Sequence, residues 1–211
     1  SGVTAVGDMY FYMDETAKAI KESGLRALLS YGIIAPEYNS NAEDEIEKAL
    51  DLVKNWNGGE KERIKVALSP HAPYTCADQV WREVGNYSKK NNLLIHTHLS
   101  ETREDVQKSL KNYEMGPLQR LAKLGVLDNE FIAAHCVHIG DEEIDIMKDN
   151  DISVSHNPSS NMKLASGIAP IKKIMEKGIN VGLATDGPAS NNDLDMFEEM
   201  RSASFLQKVS T

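Results

Sequence analysis

The stretch LLIHTHLSE, residues 93–101, begins as an apolar strand and ends polar, with His96, His98 and Glu101 gathered toward its C-terminal side. The same shape recurs in FIAAHCVHI at 131–139, in VSHNPSS at 154–160 and in NVGLATDGP at 180–188, which lead into His135, His156 and Asp186. Strand candidates lie at residues 4–8, 26–31, 64–69, 93–98, 131–135, 152–156 and 180–185. Helical patterns separate them, among them residues 43–55 with Ile46, Ala49, Leu50 and Val53 on one face, and residues 142–148 after Gly140. Gly24, Asn57 to Gly59, Gly125 and Gly178 read as helix stops before the next strand. This is the rhythm of parallel strands joined by crossover helices. Seven such units suit an open doubly wound sheet or a (β/α)8 barrel lacking one strand. The polar residues separate the two: Asp8, His71, His98, His135, His156 and Asp186 stand at strand ends, and only a barrel brings all such ends to one mouth. No glycine-rich phosphate fingerprint follows the first strand. The prediction is an α/β fold, an incomplete TIM-type (β/α)8 barrel forming a single partial domain over residues 1–211, with no linker inside it.

Composition bounds the function. Hydrophobic residues make up 41% of 211, enough for a sizeable core. A net charge of -9 repels a phosphate backbone, so nucleic acid is not an expected partner. Cys76 and Cys136 form no CxxC and no paired framework, which fits a reducing compartment and a cytoplasmic location. No apolar run reaches the roughly 18 to 20 residues of a membrane span, and the N-terminus lacks a signal-peptide pattern. The chain opens SGVTAVGDMY without Met, as if in mid-strand, and stops at LQKVST inside a helical pattern, as a piece of a longer protein would.

Alternation places His96 and His98 on one face of their strand, and in a barrel the face that accepts polar residues near the mouth is the interior. An isolated histidine on an apolar strand is more often packed and hydrogen-bonded than a ligand. Here Glu101 follows, and three other strand ends also carry histidine. His135 closes an apolar run and reads as inward, with His138 peripheral; a neutral imidazole there can bind metal or shuttle a proton. His156 opens the loop that contains Asn161, which reads equally as a pocket wall or as a plain Asn-Pro turn. Asp186 follows an apolar strand, where a buried carboxylate needs a cation, a proton or a capping role. Asn191, Asn192 or Asp193 would cap the next helix, predicted to start near Leu194, and that leaves Asp186 for a site. Histidine and aspartate from different strands, with no cysteine cluster, are ligands suited to a hydrolytic divalent ion, which acidifies a bound water.

The ordered motifs SPHAPYTC, HTHLSET, AAHCVHI, SHNPSSNMKLASGIAPI and TDGPASNN resemble those of the amidohydrolase superfamily, in the branch of 5-methylthioadenosine/S-adenosylhomocysteine deaminases and related chlorohydrolases and guanine deaminases. The resemblance implies a metal-dependent hydrolase barrel and one divalent ion, zinc first, with iron, manganese or nickel on the same ligands. It implies that His98 and Asp186 are metal ligands, that Asp186 is also the base that carries a proton to departing ammonia, and that His135 assists the attacking hydroxide. Glu101 would bond the heterocycle and protonate a ring nitrogen, His71 would contact the substrate, and His96 would pack. The family's first strand carries an HxH pair, and none precedes residue 96 here. By that resemblance the chain covers strands two to eight, has an incomplete metal site and is inactive alone, and its open seam leaves strand edges that invite self-association. The resemblance implies that members accepting S-adenosylhomocysteine pair its carboxylate with arginine from the segment after the third strand; the matching residues 31–47 hold no Arg or Lys, so an uncharged adenosine-type nucleoside is the expected preference. The alternatives are a chlorohydrolase or another aminoheterocycle deaminase on the same site, or a non-catalytic binding barrel.

Overall fold

The computed structural model describes residues 2–210; the chain's first and last residues lie outside it. Contacts gather the described residues into two compact units, one of residues 4–97 with 124–130, the other of residues 98–123 and 131–210 with residues 2–3. Eight strand segments run through them: β1 Ala5–Tyr10, β2 Arg26–Ile33, β3 Ile64–Val66, β4 Ser69–Pro70, β5 Ile95–Leu99, β6 Phe131–His135, β7 Ser153–His156 and β8 Val181–Leu183. They form two sheets, one in the order β1-β2-β3 with β4 also on β2, the other in the order β5-β6-β7-β8. The pairings β1·β2, β2·β3, β2·β4, β6·β7 and β7·β8 are all parallel.

In the first unit, β1 leads through helix Met13–Ser23 to β2, and helix Ser40–Trp56 leads on toward β3. Gly24 ends the first of these helices at φ 76°, donating its N–H to the Ile20 carbonyl at 3.1 Å; a left-handed stop of this kind favours glycine. Helix Ser40–Trp56 starts at Asn39, whose side chain accepts from the N–H groups of Asn41 and Ala42. Its buried face is Ala42, Glu45, Ile46, Ala49 and Leu52, so the predicted face is corrected: Leu50 and Val53 flank it half-buried, because Leu52 is the turn-mate of Ala49. Burying side chains such as Ile46 and Leu52 contributes about 1.5 to 3 kcal/mol each.

The strand expected at 64–69 is two segments. Val66 and Ser69 pair with β2, while between them Leu68 pairs with Ile95 and accepts from His96 N–H. Successive residues of a parallel strand offer their backbone groups to opposite neighbours, and here the interruption falls where the partner changes. Leu29, Ile33, Ile64, Leu68, Trp81 and Ile95 form the unit's buried centre.

In the second unit, helices Arg103–Tyr113 and Pro117–Lys123 follow β5, Asp141–Asp149 follows β6, and Pro158–Lys163 with Ile171–Glu176 follow β7. Pro188–Asn191 and Met196–Val209 follow β8. Thr102 caps its helix with a reciprocal box, accepting from Asp105 N–H while the Asp105 carboxylate accepts from Thr102 N–H. The last helix is capped by Asp195, which accepts from Phe197 N–H at 2.8 Å; none of the asparagines or the aspartate expected to do so holds that place. No helix among the described residues is long and apolar enough to cross a membrane.

Candidate active site

The polar residues of the second unit converge at the ends of its strands. In β5 the side chains of Ile95, Thr97 and Leu99 are fully buried while His96 and His98 share the other, half-buried face, as alternation requires. The backbone then turns sharply: Ser100 has φ 48°. At the end of β6, His135 and Cys136 are both left-handed, at φ 72° and 50°. Non-glycine residues in this region cost on the order of 1 kcal/mol or more each and persist where surrounding contacts hold them. Cys136 N–H donates to Leu99 O at 3.0 Å and His138 N–H to Ser100 O at 2.9 Å, which fixes the turn after β6 against the end of β5.

This turn aims the His135 ring into a cluster. His135 is 2% exposed and stacks on His98, with ring centroids 5.5 Å apart and planes 25° apart. Its Nδ1 lies 2.8 Å from Asn161 Oδ1, and its Nε2 lies 3.9 Å from Glu101 Oε2. Glu101 Oε1 accepts from Ser166 Oγ at 3.4 Å, and the Ser166 carbonyl accepts from His138 Nε2 at 2.7 Å. His138 is thus the peripheral residue expected, and it anchors the loop after helix Pro158–Lys163. The predicted residues His98, Glu101, His135 and Asn161 are brought together.

His156, at the end of β7, is buried, and neither ring nitrogen meets a hydrogen-bond partner among the described residues. Burial, and then the neighbouring His135, push its pKa down to about 4, so the ring is neutral near pH 7. Burial pushes the Cys136 thiol up, with the Glu143 charge adding to it, which leaves that cysteine inert.

Asp186 stands three residues beyond β8 at φ 62°. The premise of a buried strand is corrected here, because Val181 and Leu183 are half-buried and Gly182 is exposed. The carboxylate is also satisfied: Oδ2 accepts from Ser160 Oγ at 2.6 Å and Oδ1 from Gly187 N–H at 2.6 Å. Ser160 immediately precedes Asn161, so one short helix touches both Asp186 and His135. His71 belongs to the first unit, where its Nδ1 lies 3.3 Å from Thr75 Oγ1 and its ring meets Tyr74 edge-on.

Sequence reasoning missed Glu199. It is fully buried in helix Met196–Val209, accepting from Ser159 N–H at 3.2 Å and from Asn191 Nδ2 at 2.8 Å. Asn191 Nδ2 also donates to the Thr185 carbonyl at 2.8 Å, so this carboxylate ties the loop after β7 to the backbone beside Asp186. In the sequence it is an acid in the first turn of a helix, indistinguishable from a residue that complements the helix dipole.

The imidazole of His98 and the carboxylate of Asp186 are donors that suit zinc or a similar divalent ion. Two donors are fewer than such an ion needs, and among the described residues no set of three or more His, Cys, Asp or Glu side chains is grouped to hold one. The residues fit part of a ligand set.

The profile of the amidohydrolase family covers residues 1–211. The chain belongs to the amidohydrolase family. Among its relatives, a 5'-deoxyadenosine deaminase of Methanothermobacter thermautotrophicus is 47% identical over 99% of this chain and 49% of its own length. A 5-methylthioadenosine/S-adenosylhomocysteine deaminase of Carboxydothermus hydrogenoformans is 48% identical over 100% of this chain and 48% of its own. The chain spans about half the length of the curated relatives it matches. The crystal structure of an adenosine deaminase from Xanthomonas campestris, with bound zinc, superposes with a TM-score of 0.91 at 36% identity, over 99% of this chain and 48% of that one. This amidohydrolase chain therefore has the α/β, TIM-barrel-like fold of the metal-dependent hydrolases, as its strand-end residues predicted.

Proposed function

We propose that the protein carrying this chain is a cytoplasmic, metal-dependent deaminase that hydrolyses an adenosine-type nucleoside, such as 5'-methylthioadenosine or adenosine, to the inosine-type product and ammonia. What carries the reading is the cluster of Glu101, His135 and His98, in which a carboxyl and an imidazole nitrogen face each other across 3.9 Å, too far for a hydrogen bond and close enough to act on one substrate. The deaminase names of relatives near 47% identity support it. His98 and Asp186 would hold the divalent ion, with further donors from an HxH pair in a preceding strand, this chain supplying strands two to eight. When bound, the ion lowers the pKa of a water and polarises it for attack.

Each residue of the chain then has a separate task. Glu101 takes one of the two protons of the attacking water and delivers it to a ring nitrogen as the amidine carbon is attacked. His135 Nε2 orients that water. Asp186 takes the water's other proton and passes it to the amino group, which leaves as ammonia. His71 would contact the nucleoside sugar, and His156 and Asn161 would support the site wall. Because residues 31–47 hold no Arg or Lys to neutralise an amino-acid carboxylate, the uncharged thioether nucleoside is the better substrate.

Two measurements on the full-length protein test this. Ammonia release and the purine absorbance change give kcat/KM on 5'-methylthioadenosine and on S-adenosylhomocysteine; the first should be higher, and an equal or higher value for the second overturns the preference. Glu101→Gln should lower kcat by about 100-fold or more with zinc content unchanged. Full turnover in that variant, or halide release from a chlorinated triazine in place of ammonia release, defeats the deaminase assignment.

A further inference from the structure

The hydrogen-bonding role of His135 depends on which of its ring nitrogens carries a proton. A neutral imidazole has one N–H and one lone pair, and which nitrogen carries the proton is set by the partner of the other. The partner here is Asn161. It is 1% exposed, its Oδ1 lies 2.8 Å from His135 Nδ1, and its backbone is held on both sides: its N–H donates to Asn157 O at 3.0 Å, and its main-chain carbonyl accepts from Ser166 N–H at 2.9 Å, while its Nδ2 meets no hydrogen-bond partner among the described residues. The preceding Ser160 holds Asp186. The His135 ring is itself buried and stacked on His98, which restricts its rotation.

We propose that Asn161 is a positioning residue for His135: its carbonyl oxygen holds Nδ1 as the N–H and leaves Nε2 as a lone pair facing Glu101. The role rests on the deaminase reading, in which Nε2 must accept a hydrogen bond from the attacking water. The alternative tautomer would place an N–H on Nε2, directed at Glu101 Oε2 over 3.9 Å, where no hydrogen bond forms, and would offer the water a donor. Asn161 therefore decides whether His135 enters the reaction as acceptor or as donor. The adjacent His156, whose ring nitrogens meet no hydrogen-bond partner among the described residues, offers no competing bond to either.

The test is a long-range proton–nitrogen correlation spectrum of the full-length, 15N-histidine-labelled protein near pH 7.5, with His135 assigned by its absence in His135→Gln. The expected result is a protonated-type shift for Nδ1 and a lone-pair-type shift for Nε2 in the wild type. Asn161→Asp, which can only accept, should keep that pattern, and Asn161→Leu should lose it. In turnover, Asn161→Leu should lower kcat by about 10- to 100-fold with KM changed far less, and Asn161→Asp should restore most of it. A wild-type His135 protonated on Nε2 overturns the proposal without any variant being made, and so does an Asn161→Leu protein whose His135 spectrum is unchanged. Because the spectrum is read without turnover, failure of the deaminase assignment would show separately, as absence of ammonia release from a wild type with the expected tautomer.

Discussion

His156 shows what burial does to a single group. Its ring is neutral because a cation there would be both desolvated and set beside His135. The unfolded chain takes up a proton near the ordinary histidine value of 6.5, whereas the folded chain does not until about pH 4. Between those limits the unfolded state binds more protons, so this residue's contribution is complete above about pH 6.5 and is lost as the pH falls toward 4. The shift is worth about 3 kcal/mol. Urea unfolding of metal-free protein at pH 7.5 and pH 4.5 should therefore show a larger loss in the wild type than in His156→Gln. An equal loss in both would place the acid sensitivity elsewhere. The residue types were legible in the sequence: strand ends carrying His98, Glu101, His135, His156 and Asp186 announced a site. Their roles were less so, because the hydrogen bond that fixes His135 comes from Asn161, 26 positions away, in a segment whose sequence reads equally as a pocket wall or as a plain turn.

At the scale of elements, short segments hold the site more than the strands do. β8 is only three residues long and half-exposed, so Asp186 is positioned from outside the strand, by Ser160 and by the backbone that Asn191 and Glu199 secure. Replacing Glu199 with Ala leaves the half-buried Ser159 N–H without its acceptor and removes one of the two acceptors of Asn191 Nδ2, at about 1 to 2 kcal/mol. The fall in Tm should be clear, and Glu199→Gln, which retains one acceptor oxygen, should recover part of it. A Glu199→Ala protein as stable as the wild type would mean the clamp carries no strain or support. Helical periodicity located the helices well but misjudged one buried face, placing Leu50 and Val53 on it and missing Leu52, since these residues differ in burial only through what packs against them. The interrupted strand has the same origin: residues 64–69 contain no glycine or proline to mark a break, which comes from a change of pairing partner that only the neighbours impose.

For the whole molecule, β1 has β2 as its one partner in the described sheets and ends in the exposed aromatic run Tyr10, Phe11 and Tyr12. An unpaired edge beside apolar surface favours strand addition between copies. Sedimentation velocity of the 211-residue chain should show concentration-dependent self-association, reduced by lysines at the exposed positions Ala5 and Gly7. A monomer at all concentrations would exclude that edge as an interface. The sequence by itself determined the alternation of strands and helices, the polar strand ends and the family to which the motifs belong. These are local or periodic properties, written in hydrophobic spacing and in residue type. Only the tertiary structure decided that His135 and Cys136 are left-handed, that Asn161 reads the His135 ring, that β8 is half-exposed and that Glu199 joins two loops. Each of those depends on which distant residues become neighbours, and on the burial that makes an unmet hydrogen bond costly.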